Sequence, residues 1–135
     1  MSTDTQTIVT GVDFIIVATK DIEAAEAFYG GVLGLPVGAR YGQMPGVEFE
    51  TGNLTIAVMQ TEAFGMEYCA NSNPIALQVA DIDAARAELE SRGVEFSPNA
   101  IDSGVCHMAF FRDPDGNALM LHHRYAPPEA GPANA

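Results

Sequence analysis

Three histidines, two cysteines and 18 carboxylates are the side chains through which this 135-residue chain could do chemistry. His107, His122 and His123 alone have an ordinary pKa that lets them carry protons near neutral pH or ligate a metal through nitrogen. His122 and His123 are adjacent, so in a strand they point to opposite faces and cannot chelate together. If the turn between residues 112 and 117 closes an ordinary hairpin, His122 lies opposite Met108 and His123 opposite His107. His107 and His123 then share a face, but two nitrogens make a poor metal site and the sequence places no carboxylate beside them. His122 shares its face with Met120. In the run Val47-Glu48-Phe49-Glu50-Thr51, Glu48 falls on the side opposite the apolar Val47 and Phe49. A Glu48–His122 pair in a cavity would be a general acid/base couple tuned by burial. The plainer reading is a solvated strand carboxylate and a strand-end histidine bonded to a carbonyl or to water. Cys69 and Cys106 show neither Cys-x-x-Cys spacing nor zinc-finger partners, and Cys106 has no nearby cation in sequence to lower its pKa, so it is read as packing.

The elements that must position these groups come from an internal repeat. Displacing the chain by 60 residues lays Phe-Ile-Ile-Val-Ala-Thr-Lys-Asp-Ile-Glu-Ala-Ala-Glu-Ala-Phe-Tyr, residues 14–29, over Pro-Ile-Ala-Leu-Gln-Val-Ala-Asp-Ile-Asp-Ala-Ala-Arg-Ala-Glu-Leu, residues 74–89. Six of the sixteen positions are identical, in the shared order apolar run, Asp-Ile, Ala-rich segment. Each copy reads as a strand (12–18 and 75–79) leading into an Asp, Asp21 or Asp81, that caps a helix. Ile22, Ala25, Tyr29, Val32 and Leu33 form one helical stripe, weakened by Gly30-Gly31; Ile82, Ala85 and Leu89 form the other, ended by Gly93. Further strands are expected at 37–41, 47–51 and 54–60, and at 94–97, 105–111 and 118–124, with turns at Gly52-Asn53 and at residues 112–117. The loops 41–46 and 62–73 carry Met44, Phe64, Met66 and Tyr68, which need a burial partner.

Two segments resemble the vicinal oxygen chelate superfamily, which groups glyoxalase I, extradiol dioxygenases, methylmalonyl-CoA epimerases and bleomycin-resistance proteins. One is Asp21-Ile22-Glu23-Ala24-Ala25-Glu26-Ala27-Phe28-Tyr29 with Val32-Leu33-Gly34-Leu35-Pro36; the other is Phe110-Phe111-Arg112-Asp113-Pro114-Asp115-Gly116-Asn117. The likeness covers residues 8–126 and implies a fold, not an activity. It also implies where metal ligands would stand in the family's metalloenzymes. Those positions hold Phe14, Pro74, Met120 and either Ile56 or Ala57, none of which suits a cation bound by His and carboxylate. The sheet face that the family keeps open would instead carry Phe14, Ile16 and Met59 from the first copy, and Gln78, Met108, Met120 and His122 from the second. That is the composition of a site for a greasy or aromatic small molecule.

Composition narrows the classes. A formal charge of −12 repels nucleic acid and anionic lipid, and 47% hydrophobic residues in 135 suit one domain. The many acidic residues at helix starts and turns, Asp113 and Asp115 included, read as a solubility coat. The expected fold is α+β: tandem βαβββ modules, about 8–62 and 72–126, form a curved mixed sheet around a cavity with helices outside, followed by a flexible tail 127–135. The expected protein is a cytoplasmic homodimer that needs no cofactor or metal and sequesters a small hydrophobic or aromatic ligand, resembling bleomycin-resistance proteins. The alternative is a glyoxalase- or dioxygenase-like enzyme using His122 with Glu48, or a relocated metal site among the histidines.

Overall fold

A computed structural model describes residues 6–127, so almost all of the expected tail, and residues 1–5, lie outside the described residues. The first module runs β1 (Ile15–Ala18), α1 (Ile22–Glu26), β2 (Val37–Arg40), β3 (Gly46–Glu50) and β4 (Thr55–Met59). After a 3-10 turn at Thr61–Phe64 the second runs β5 (Ile75–Gln78), α2 (Ile82–Ser91), β6 (Ile101–Asp102), β7 (Cys106–Arg112) and β8 (Ala118–Arg124). Each module forms its own four-stranded mixed sheet, β1-β4-β3-β2 and β5-β8-β7-β6, and the two sheets do not close into one. The α+β class and the doubled βαβββ order are thus as expected from the repeat.

Both helices start where the sequence places them. The Asp21 carboxylate accepts from the backbone N–H groups of Glu23 and Ala24, and that of Asp81 from Ala84, which satisfies donors in the first turn of each helix. Beyond Glu26 the first helix widens into a π-helical turn, Ala27–Val32, in which the Leu33 N–H donates to the carbonyl of Phe28, five residues back. Two consecutive aromatics of this turn, Phe28 and Tyr29, enter the core. Gly30 eases the approach, since a Cβ there would lie 3.2 Å from the Phe49 ring, which would have to give way slightly.

Two strand expectations need correction. β1 starts at Ile15 instead of residue 12, because its parallel partner β4 begins at Thr55, one residue before Ile56, which faces Ile15; residues 12 and 13 lie beyond the start of that strand. Residues 94–97 form no strand: Ser97 donates one bond to the carbonyl of Phe110 and is followed by Pro98, which has no N–H to continue a ladder. The place beside β7 is taken by Ile101–Asp102. The β7–β8 hairpin has the expected register, with His122 opposite Met108 and His123 opposite His107.

Alternate strand residues face the helices and fill one continuous core drawn from both modules, among them Val17, Val47, Phe49, Ile56 and Val58 from the first and Ala109, Phe111, Leu119 and Leu121 from the second. Phe28 meets Phe111 across the junction at 6.4 Å between ring centroids. Beside that contact lies a buried polar hub built on the turn 113–117. Asp113 is 6% exposed and Asn117 fully buried, so the reading of Asp113 as part of a solubility coat is wrong. The Asp113 carboxylate accepts from Tyr29 Oη (2.8 Å), the N–H groups of Asp115 and Asn117 (2.9 and 2.8 Å) and Asn117 Nδ2 (2.8 Å). Asn117 Nδ2 also donates to the carbonyl of Ala18, and its Oδ1 accepts from the N–H of Asn71. Asp115 accepts from the Thr19 hydroxyl and the Lys20 N–H, so the second module's turn grips the end of β1.

Tyr29→Phe removes one donor from a buried carboxylate and is expected to cost about 1–3 kcal/mol of unfolding free energy. Asn117→Ala, which orphans the Ala18 carbonyl and the Asn71 N–H, should cost more. Urea unfolding followed by circular dichroism measures both; losses under about 0.5 kcal/mol, the size of an ordinary surface change, would remove the hub from the account of stability.

Candidate functional site

The faces of the two sheets turned away from the helices carry the residues expected to bind a ligand. On the first sheet one row across β1, β4 and β3 is Ile16, Ala57, Glu48, and the next is Ala18, Met59, Gly46. On the second sheet the corresponding rows are Gln78, His122, Met108 and Ala76, Met120, Phe110. The structure therefore groups Gln78, Met108, Met120 and His122 on one sheet, and Ile16 and Met59 on the other, with Phe14 just before β1 and no strand pairing between the two sets. Phe14 and Ile16 are 44% and 43% exposed, while Met59 is buried.

The four ligand positions implied by the resemblance can now be placed. Ile15 pairs with Ile56 and Ile75 with Leu119, so Ala57 is the first-module counterpart of Met120, and Ile56 belongs to the helix-facing core. The sequence left that register open by one residue.

Glu48 and His122 stand on different sheets and share no hydrogen bond. Glu48 accepts from Tyr41 Oη at 2.6 Å, and Tyr41 packs edge-on against Phe64 at 6.1 Å, so the loop 41–46 and the 3-10 turn cover this end of the first sheet. His123 bonds through Nδ1 to the carbonyl of Val79. His107 has a carboxylate beside it after all: its Nε2 is 3.4 Å from Asp102, which also accepts from Tyr125 Oη at 2.7 Å, and the His107 and Tyr125 rings lie 4.5 Å apart. Sequence reasoning missed Asp102 because it sought β6 at 94–97. Among the described residues no group of three or more His, Cys, Asp or Glu side chains could hold a metal ion.

A cleft of about 1170 Å³ opens along the free edge of β5. It takes in Gln78 and His122 but none of Phe14, Ile16, Met59, Met108 or Met120. A smaller hollow of about 560 Å³ lies between the π-helical turn, residues 92–97 and the start of the 113–117 turn.

Carboxylates hold all four tyrosines of the chain: Tyr29 donates to Asp113, Tyr41 to Glu48, Tyr68 to Asp115 and Tyr125 to Asp102. Burial, then the Asp113 charge and bond, pushes the Tyr29 phenol far up; burial and the bond to Glu48 push Tyr41 up to about 12. Burial first and Asp115 second raise Tyr68, and the bond to Asp102 raises Tyr125.

Residues 11–121 match the model of the Glyoxalase/Bleomycin resistance protein/Dioxygenase superfamily. Among solved structures, a member of that superfamily from Sphaerobacter thermophilus is 24% identical with a TM-score of 0.74, covering 87% of this chain and 100% of its own. A putative glyoxalase family protein from Bacillus anthracis is 23% identical with a TM-score of 0.74, covering 89% and 99%. TnmS3, an antibiotic-binding protein from a Streptomyces species, is 21% identical with a TM-score of 0.70, covering 88% and 99%. These likenesses concern the fold. A comparison with curated proteins finds no significant match.

The phenol bonds set an alkaline limit. Each tyrosine has a folded pKa above its unfolded value of about 10, so the stability it contributes is complete below that pH and is lost as pH rises through the folded values. The buried Tyr29 phenol should therefore stay protonated at pH about 10, where free tyrosine is half ionised, and its share of the tyrosinate absorbance should appear only with unfolding. A normal titration in the folded protein would contradict these bonds.

Proposed function

Because the chain belongs to the Glyoxalase/Bleomycin resistance protein/Dioxygenase superfamily, we propose that it binds and sequesters a small hydrophobic or aromatic molecule without a metal and without turnover. The observation that carries this reading is the side-chain set on the open sheet faces. Phe14, Pro74, Ala57 and Met120 occupy the positions implied for metal ligands and offer no nitrogen or oxygen donor, so they do not fit a divalent cation. Around them stand Ile16, Met59 and Met108, with Gln78 and His122 as the polar groups able to orient a ligand. Methionine and aromatic side chains adapt to flat, apolar molecules, and a few polar groups suffice for specificity. The antibiotic-binding title of TnmS3 supports a binding role on this fold.

The ligand site is completed in a homodimer. Both open faces are largely apolar yet belong to separate sheets, and Val12, Phe14 and Ile16, with Val12 69% exposed, leave an exposed apolar stretch at the start of β1. A second copy laid across these faces brings the two residue sets together and covers the patch. Catalysis by His122 with Glu48 has less support, since Glu48 is engaged by Tyr41. Two unpaired cysteines suit the reducing cytoplasm.

Nile red, a neutral aromatic dye, should bind with a blue-shifted emission, and Ile16→Asp or Met120→Asp should weaken binding at least tenfold. Light scattering should report a dimer that Ile16→Asp dissociates. Unchanged dye affinity in both variants, or a stoichiometric transition metal in elemental analysis of the purified protein, would overturn the reading.

A further inference from the structure

The two modules are related by the repeat, and the relation exposes a second site away from the open sheet faces. In the first module the groove beside β1 is filled by the polar hub: Thr19, Tyr29, Asp113 and Asn117. The 60-residue displacement places Val79 where Thr19 stands and Leu89 where Tyr29 stands. Strand pairing makes Glu50 and Thr55 the counterparts of Arg112 and Ala118, so Thr51 takes the place of Asp113 and Leu54 that of Asn117. All four replacements, Val79, Leu89, Thr51 and Leu54, line the cleft along β5. The turn here is 51–54, four residues against the five of 113–117. A shorter turn, with leucine in place of tyrosine, cannot refill the groove. What is a plugged polar junction in one half is an open apolar cleft of about 1170 Å³ in the other.

The charge around this cleft runs against that of the protein. In a chain of formal charge −12 it collects Arg92, Arg124, His122 and His123, with Glu88 the one carboxylate among its lining residues. Glu88 accepts from Arg92 Nε at 3.1 Å, and Arg92 also donates to the Val32 carbonyl, so that pair is satisfied within the wall. Among the described residues the Arg124 guanidinium meets no hydrogen-bond acceptor and no carboxylate, although it lines the cleft where β5 runs out into Val79-Ala80. We propose that this cleft binds a small anionic amphiphile, its apolar body lying against Leu54, Leu77, Ala85 and Leu89 and its carboxylate meeting Arg124. The site is distinct from the sheet-face site of the proposed function, sharing with that face only Ala76, Gln78 and His122. A guanidinium held beside an apolar wall selects an anionic head through charge-assisted hydrogen bonds, and the wall selects the body by burial.

Calorimetric titration of the full chain with decanoate, and with decyltrimethylammonium as the cationic control, tests the proposal. Decanoate should bind one per chain and at least tenfold more tightly than the cation. Arg124→Gln, an exposed change that leaves packing intact, should weaken decanoate at least tenfold, and Ala85→Phe, which fills the cleft, should abolish it while Nile red binding persists. The proposal is overturned if decanoate fails to bind, binds no better than the cation, or keeps its affinity in both variants. Loss of decanoate binding in Met120→Asp but not in Arg124→Gln would likewise overturn it, by moving the anion to the sheet face. Nile red affinity reports on that face independently, so either reading can fail without the other.

Discussion

The carboxylate of Asp113 is the point on which the two halves of the molecule turn. It sits at the module junction, nearly sealed from water, and a buried anion is tolerable only when its lone pairs are met by donors. Four donors meet it, three from its own turn and one from Tyr29 in the other module. Because Tyr29 is delivered by the π-helical turn, in which Gly30 passes close to Phe49, the local irregularity of the first helix and the link between modules are one feature. Asn117 extends the link to the end of β1 and to the loop before β5.

Once the junction is held in this way, the helix-facing sides of both sheets are committed to a shared core and the opposite sides are left for other work. The exposure of Ile16 on one sheet and of Phe14 just before it, and the half-buried Met108, Met120 and His122 on the other sheet, follow from that commitment. The same junction also explains the asymmetry between the halves. A repeat copied without change would have plugged both grooves or opened both. Replacement of a polar quartet by Val79, Leu89, Thr51 and Leu54, with one residue lost from the turn, leaves the groove beside β5 open while that beside β1 is packed.

Much of the site was legible because strand geometry is periodic. Alternation along β8 and the turn at 113–117 were enough to place His122 opposite Met108 and on Met120's face, and the structure has that register. Asp102 was not legible: Pro98 displaces the strand beside β7 to Ile101–Asp102, and no pattern in the run 94–97 announces that a missing N–H outweighs its β-branched and aromatic residues. The choice between Ile56 and Ala57 likewise needed the parallel pairing of β1 with β4, since a lone strand carries no record of its neighbour's offset.

Local spacing was enough to set the doubled βαβββ plan, the Asp21 and Asp81 caps, the faces of the long hairpin and the side-chain types at the open faces. Which acidic residues are surface and which are structural was settled by contacts between distant segments. Asp113 and Asp115 look alike in a turn, but one is buried under Tyr29 and the other clamps Thr19 and Lys20, 95 or 96 residues away in sequence. The fold also decided that Glu48 answers to Tyr41, and that the second groove stands open beside Arg124. Such outcomes depend on what the fold brings together across the junction, and contacts between distant segments leave no periodicity in a single chain.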